Sequence, residues 1–359
     1  MEEFLYQLRK NTDRIGILDL YRAIAIILII IYHFNILLLP LAYIGVDLFF
    51  VISGYLVSKP LLKSYANETP VNASSFLLRR GLKIWPSYYF FLFLTIPLTR
   101  IFLASTAPNE IISNNEVINY VLFLSNYIRS AIHVVFDMSW SLCVEEHFYL
   151  ILAISFFIVP YIFKNISWKN KALLIIVVLI FSSVTFKIIE YFFQKGGYEI
   201  YTHNRLDGLG LGVLIAWIQY FNKDLFKTIS KSLLLFFLGV VILVITIGLY
   251  WVVDTIEYKT LIVHCFAPLA FFLMIISTLG YTFNTGIIVR FIALTSYNLY
   301  LWHSLVVVFV KTATQNIFLQ WISYIVISVT IAFITTVVIE NFFISIRNRF
   351  VAATANVQG

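Results

Sequence analysis

Apolar runs of membrane-crossing length recur along almost the whole of this 359-residue chain, and they limit its fold class before any motif is read. A bilayer core needs roughly 20 apolar residues per helical crossing. Only helices and closed barrels satisfy their own backbone polar groups there. Ten runs meet the need: 17–39, 44–62, 84–103, 146–163, 172–193, 207–221, 232–252, 259–281, 288–310 and 318–343. The second is interrupted by Asp47 and Gly54, and the sixth is short and carries Gly208, Gly210 and Gly212. Irregular spans of this kind are expected to line a cavity and not lipid. The expectation is an all-α polytopic membrane helix bundle of about ten transmembrane helices. It forms a single integral-membrane domain over 1–359, with its motifs between 15 and 343 and no C-terminal soluble domain.

Composition agrees. Hydrophobic residues make up 61% and charged residues 12%, about half the soluble average of about 25%. The net charge of +7 is explained by topology and not by nucleic-acid binding. If the N-terminus is cytoplasmic, 17 Lys and Arg residues fall on inner segments and five on outer ones. That bias follows the positive-inside rule and predicts N-in/C-in topology in the cytoplasmic (inner) membrane. The two cysteines, Cys143 and Cys265, are far apart and imply no disulfide framework. No metal-ligand spacing, phosphate-binding loop or nucleophile elbow is present, so no bound metal is expected and ATP-driven transport finds no support.

Against this background the ionisable residues inside the spans stand out, because such groups are costly in a bilayer and tend to face the bundle interior. Arg22 and His33 lie eleven residues apart in the first span. On a helix that separation is about three turns plus about 20°, with a rise of roughly 16 Å. Both side chains therefore share one face at different depths. The predicted topology puts His33, Asp47, Glu145, Glu146, Arg205, Asp207, Tyr300 and His303 in the outer half of the bundle, contributed by five spans. It puts Arg22 near an inner basic group, Arg79, Arg80 and Lys83, with Lys59 and Lys63 close by.

Each residue alone has a bland explanation. A membrane histidine can simply join helices by a hydrogen bond, and Glu145–Glu146 can be N-terminal helix carboxylates favoured by the macrodipole. Trp85, Tyr88 and Tyr89 read as interfacial anchors, the basic group as topology or anionic-lipid binding, and His133, His203 and His264 as structural. The functional case rests on co-location. Arginine pairs bidentately with phosphate oxygens and lysine adds a point charge, so the inner group can also be a phosphate site.

Six strings occur in order: Arg22-x10-His33, Gly45-Val-Asp-Leu-Phe-Phe-Val-Ile-Ser-Gly-Tyr-Leu56, Arg79-Arg-Gly-Leu-Lys-Ile-Trp-Pro-Ser-Tyr-Tyr89, Trp140-Ser-Leu-Cys-Val-Glu-Glu-His-Phe-Tyr149, Arg205-Leu-Asp207 and Ser296-Tyr-Asn-Leu-Tyr-Leu-Trp-His303. Together they resemble the membrane-bound acyltransferase-3 family, whose bacterial members include surface-polysaccharide O-acetyltransferases. The departures are Lys83 where Arg is usual, Cys143 for Ser, His147 for Gln, and Phe342 in place of Pro in a Glu-x-Pro string. The resemblance implies an acyl-CoA donor, usually acetyl-CoA, that enters from the cytoplasm and is not permanently bound. It implies a carbohydrate or lipid-linked glycan acceptor on the other side, as in O-antigen or exopolysaccharide modification.

On that basis Arg22, Arg79, Arg80 and Lys83 are expected to hold the CoA phosphates. His33 is the expected general base or acyl carrier, since imidazole titrates near working pH, and Asp47, Glu145 or Glu146 are expected to orient it. Arg205, Asp207, Tyr300 and His303 are expected to position the acceptor or stabilise the oxyanion. The rival class is a proton-coupled secondary transporter, which also uses broken helices and intramembrane ionisable groups. Against it, the Arg22-x10-His33 pattern has no counterpart in the second half.

Overall fold

The computed structural model describes residues 2–9, 15–34, 41–106, 111–128, 133–193, 198–253 and 255–356. Among the described residues there are helices and short helical turns but no strands. In chain order the helices are α1 (Glu2–Arg9), α2 (Gly16–His33), α3 (Gly45–Ala66), α4 (Ala73–Thr106), α5 (Asn114–Val121), α6 (Ser139–Ile162) and α7 (Trp168–Phe193). They continue with α8 (Leu206–Phe221), α9 (Lys223–Ile229), α10 (Leu233–Val252), α11 (Ile256–Ile276), α12 (Ile287–Ala313), α13 (Ile317–Thr335) and α14 (Asn341–Asn356). Nine described helical stretches are long and apolar enough to cross a membrane, and α8 is a shorter apolar helix packed among them.

The burial of each helix says where it stands. In α3 and α12, 72% of the apolar window is buried, against 11% in α10. The first two are therefore central and α10 presents most of its surface outward. This is the membrane form of sorting by face, in which a helix apolar all round is distinguished by what it packs against. α2 and α12 run side by side in the same direction. A Cβ on Gly16 would meet Phe283, just before α12, while His33 at the other end of α2 meets His303. The bundle face at the start of α2 is called proximal below, and the face at His33 distal.

α3 and α8 approach most closely, and two glycines make this possible. A Cβ at Gly54 would lie 2.0 Å from the Leu209 carbonyl oxygen, and one at Gly212 would lie 2.2 Å from that of Val51. Small residues at a membrane helix interface let backbones meet where lipid supplies no hydrophobic drive. The expectation that α8 lines a cavity is therefore corrected. α8 is a regular helix, its Gly212 serves close packing against α3, and none of its residues lines the main cavity. α3 does line that cavity, from Val46 to Val57.

Two predicted boundaries move. α4 begins at Ala73, not 84, because Asn72 Oδ1 accepts the Ser75 backbone N–H at 2.9 Å and starts the helix there. Arg79, Arg80 and Lys83 are thus inside the helix. Arg and Lys are good helix formers, and only the hydropathy window, not the backbone ladder, stops at them. α6 begins at Ser139, not 146, which carries Glu145, Glu146 and His147 two turns into the helix and removes the macrodipole explanation for the carboxylates.

Between α4 and α6 the described residues include α5 and pack against the bundle. A capping box of Ser113 and Glu116 opens α5. Arg100 Nε donates to the Ile112 carbonyl at 3.0 Å, Tyr88 Oη to that of Tyr120 at 2.9 Å, and Ser304 Oγ to that of Val135 at 3.0 Å. Tyr88 is fully buried, so it is a core residue and not the interfacial anchor expected.

Gly54→Val places branched carbon against the Leu209 backbone, which cannot move without displacing α8. The expected cost is about 1–3 kcal/mol, the range for overpacking. It is read as a lowered melting midpoint in detergent, with Gly248→Val, where a Cβ meets nothing within 4 Å, as the near-neutral control.

Candidate active site

A cavity of about 1180 Å³, counted to its open mouth, runs between α2, α3, α4, α6, α12 and the start of α14. Its proximal end is basic. Arg22, Arg80 and Lys83 line it, with Glu340 as the acidic partner on the π-helical turn Thr336–Glu340 that joins α13 to α14. Single π turns inside helices recur at functional sites. Here the turn is held by Asn298 Nδ2, which donates to Thr336 Oγ1 at 2.9 Å and to Glu340 Oε2 at 2.8 Å. Arg79 is exposed and outside the cavity.

Three neighbours on α6 point three ways, as successive helix positions must. Glu145 lines the middle of the cavity and accepts from Tyr149 Oη at 3.0 Å; the Tyr149 and Ser53 hydroxyls are 3.2 Å apart. Glu146 turns to α4, where Trp85 Nε1 donates to it at 2.9 Å. His147 turns to the segment before α8 and meets Thr202 Oγ1 at 2.7 Å. Trp85 therefore has a partner within the protein, beyond an anchoring role.

At the deep end of the cavity the Ser141 and Tyr300 hydroxyls lie 2.5 Å apart, and both reach the Met138 carbonyl. One ring further on, His303 and His33 meet with centroids 4.6 Å apart. His33 Nδ1 is 3.0 Å from the Ile29 carbonyl and His303 Nδ1 is 2.6 Å from that of Tyr300. A carbonyl only accepts, so in each neutral ring Nδ1 carries the proton and Nε2 holds the free lone pair. His303 is fully buried and its Nε2 has no partner among the described residues. His33 is half-buried. The carboxylate acting electrostatically on His33 is Asp137, just before α6, which acts on Tyr32 and Tyr300 as well.

Asp47, Arg205 and Asp207 form a separate centre. Arg205 Nη2 donates to Asp47 Oδ1 at 2.9 Å while its guanidinium lies over Phe50 and Trp140. His264 Nδ1 is 3.4 Å from Asp47 Oδ2. Lys187, a residue only 1% exposed, donates from Nζ to Asp207 at 2.5 Å and to the His264 carbonyl at 2.6 Å; Ser183 Oγ completes Asp207 at 3.2 Å. Asp47 is thus committed to Arg205 and His264 and lies apart from the His33–His303 contact.

The sequence did not single out Lys187, Ser141, Tyr149 or Asp137, and it set His264 aside as structural. Lys187 lies twenty residues before Asp207 on another helix, and nothing local marks such a pairing. Among the described residues no group of three His, Cys, Asp or Glu is arranged to hold a metal.

The family model described as an acyltransferase domain, acyltransferase-3, matches residues 15–338. The chain belongs to the acyltransferase-3 family. The match takes in both the basic end of the cavity and the histidine pair, and Glu340 lies two residues past it. Over 324 residues the chain is 31% identical to O-acetyltransferase OatA of Staphylococcus aureus strain NCTC 8325, and the same values hold for OatA of strain MRSA252. These alignments cover 82% of this chain and 51% of the relative, so this acyltransferase-3 chain spans about half the length of the proteins it matches. No solved structure matches it.

Removing one partner of a buried ion pair costs about 3–5 kcal/mol, because a charge is left without compensation. Lys187→Met is therefore expected to abolish most folded protein. The double change with Asp207→Leu is expected to recover a monodisperse peak, as read by fluorescence-detected size-exclusion chromatography.

Proposed function

We propose that this chain is a membrane O-acetyltransferase that moves an acetyl group from acetyl-CoA to a hydroxyl of a carbohydrate or lipid-linked glycan. The observation that carries the reading is the layout of the main cavity. It has cations at one end and the Ser141–Tyr300 hydroxyls at the other, with the His33–His303 imidazoles packed behind Tyr300; His33 stands about 16 Å further along α2 than Arg22, the rise of eleven helical residues. The family membership and the name of the Staphylococcus relatives agree with it. In this reading the basic end faces the cytoplasm, where acyl-CoA is made, and the chain is a multi-pass protein of the cytoplasmic membrane; the Lys and Arg bias supports both.

In this reading Arg22, Arg80 and Lys83 hold the CoA phosphates, Arg by paired N–H donors and Lys as a point charge. Arg79 steers from the surface. The narrow acyl-bearing arm runs past Leu56 and Glu145 toward Ser141 and Tyr300. His33 Nε2 takes the proton of the acceptor hydroxyl as its oxygen attacks the thioester carbon. The C–S bond breaks as the C–O ester forms, and the CoA sulfur leaves with the proton returned by His33, as a general base becomes a general acid in acyl transfer. The Ser141–Tyr300 pair supplies one hydrogen bond to the developing oxyanion, from the hydroxyl that turns away from the Met138 carbonyl. His303 packs against His33 and fixes its ring. The Ile29 carbonyl, which accepts from His33 Nδ1, takes the orienting place first considered for Asp47, Glu145 or Glu146, and Asp137 acts on the ring only through its charge.

Purified protein in nanodiscs, given a carbohydrate acceptor, is expected to release free CoA from acetyl-CoA. His33→Ala is expected to lower acetyl transfer by about 10²–10⁴, the usual weight of general acid–base catalysis, with unchanged melting. Arg80→Gln is expected to raise the donor KM more than it lowers kcat. Wild-type transfer by folded His33→Ala protein would sink the scheme, and a 42 Da adduct on His33 in intact-mass spectra would show an acyl carrier in place of a base. Solute uptake without CoA release would point to the transporter class.

A further inference from the structure

The cations at the proximal end of the main cavity do not stop at its wall. α13 and α14 run back from the distal face to the proximal one: Tyr324 stacks on Phe34 next to His33, and Phe333 meets Phe291 near the start of α12. α14 lines the cavity with Asn341 and Ile344, and packs against α4. Arg347 follows Ile344 by three residues, so it stands one turn nearer the proximal face on the same side of the helix. On α4, Arg79 precedes Lys83 by four residues and takes the matching place. The two guanidiniums act electrostatically on each other, and Arg347 acts on Arg80 and Lys83 as well. Arg347 is half-buried, and its Nε and Nη2 donate to Asn348 Oδ1 at 3.3 Å and 3.1 Å. A guanidinium has five N–H groups. The other three have no hydrogen-bond partner among the described residues.

Topology alone does not gather charge in this way. Arg349, exposed and about 200° further round α14, is the kind of cation that the inner-face bias produces. Arg79, Arg80, Lys83 and Arg347 instead converge from two helices. Two carboxylates act on this group, Glu340 on Lys83 and Arg347, and Glu145 on Arg80. Four cations thus face two carboxylates before Arg22, with Asp19 one turn before it on α2, is counted. Like charges held together cost free energy unless a counter-charge arrives. The three cations that line the cavity suit a diphosphate inside it. Arg79 and Arg347 lie outside that lining, at the mouth. Two guanidiniums reaching in from different helices suit a phosphate monoester, which carries about −1.5 to −2 charge and three acceptor oxygens.

We infer that Arg347 and Arg79 form a subsite at the cavity mouth for the 3′-phosphate of CoA, and so select a free CoA thioester over a donor that lacks this group. This rests on the proposed acetyl transfer and adds how the donor is recognised. With the acyl arm directed inward and the diphosphate on Arg22, Arg80 and Lys83, the ribose end of the donor is left at the mouth. An acyl group carried on the phosphopantetheine of a protein has no phosphate monoester to place there. Arg347 lies beyond the residues that the family model matches, so this contact is a property of α14 in this chain. An anionic lipid headgroup offers similar phosphate chemistry, and the choice of lipid separates the two sources.

The test uses the full chain in phosphatidylcholine nanodiscs and two probes, CoA and 3′-dephospho-CoA, read by isothermal titration calorimetry. Wild-type protein is expected to bind CoA about tenfold or more tightly than 3′-dephospho-CoA, the weight of a charge-assisted pair. Arg347→Gln is expected to bring CoA down to the affinity of 3′-dephospho-CoA and to leave the latter unchanged. Arg347→Lys, which keeps the charge but not the paired donors, is expected to keep part of the preference. Arg349→Gln is expected to keep all of it, and melting curves exclude unfolded variants. Equal affinities in the wild type, a full preference in Arg347→Gln, or an equal loss for both probes would each overturn the subsite. So would a preference intact in phosphatidylcholine with a lowered melting midpoint of Arg347→Gln only in phosphatidylglycerol nanodiscs, which would give Arg347 to a lipid headgroup. Binding of neither probe would overturn the acetyl-CoA reading itself, whereas binding of both without preference overturns the subsite alone.

Discussion

The ion pairs between α3, α7 and α8 are the constraint on which the rest of this bundle depends. Asp47 and Asp207 would be intolerable inside a membrane protein without Arg205 and Lys187, and each cation reaches its carboxylate from a different helix or helix end. Desolvating four charges is repaid only when geometry is close and further hydrogen bonds complete the set. Ser183 and the His264 carbonyl complete the Lys187–Asp207 pair, and the His264 ring lies beside Asp47. Because the contacts are short, they fix the rotation and depth of α3 relative to α7 and α8. The glycine contact of Gly54 and Gly212 keeps α3 and α8 close enough for the pairs to form. α3 in turn forms one wall of the main cavity, so the site's shape follows from where these charges meet.

A polarity gradient follows. One end of the cavity carries three cations and one carboxylate from three different chain segments. The other ends in hydroxyls and neutral imidazoles whose Nδ1 protons are held by backbone carbonyls. Those carbonyls belong to the preceding turn of each histidine's own helix, so the free Nε2 of both rings is set by local helix geometry. Their mutual contact is set by the parallel packing of α2 and α12. Local chemistry prepares each base, and tertiary packing brings the two together.

The family membership and the apolar runs describe the same bundle from different directions. Nine long helical stretches among the described residues and the short α8 correspond to the ten expected runs; Arg22 lines the basic end of the main cavity and His33, at the other end of α2, meets His303. The errors have one cause. Hydropathy marks where a side chain is greasy, not where the backbone is helical, so charged turns at the start of α4 and polar turns at the start of α6 were read as connections. The carboxylates Glu145 and Glu146 were therefore placed at a helix mouth, when they lie two turns inside. The shortness and glycine content of α8 suggested a cavity wall, when α8's glycine at 212 admits a neighbouring backbone.

By itself the sequence determined that this chain is an all-helical membrane bundle with ionisable residues turned inward, because a bilayer admits few other backbones and penalises every unpaired charge. It also determined that Arg22 and His33 share a face, since helix periodicity is local. Only the tertiary structure decided which carboxylate serves which cation. It gave Asp47 to Arg205, Asp207 to Lys187, and left Asp137 as the acidic neighbour of His33. It also sent Glu145, Glu146 and His147 to three different neighbours. Those choices depend on the rotation and depth of one helix against another, which are set by contacts such as Gly54 with Leu209, more than 150 residues apart. No local pattern carries that information.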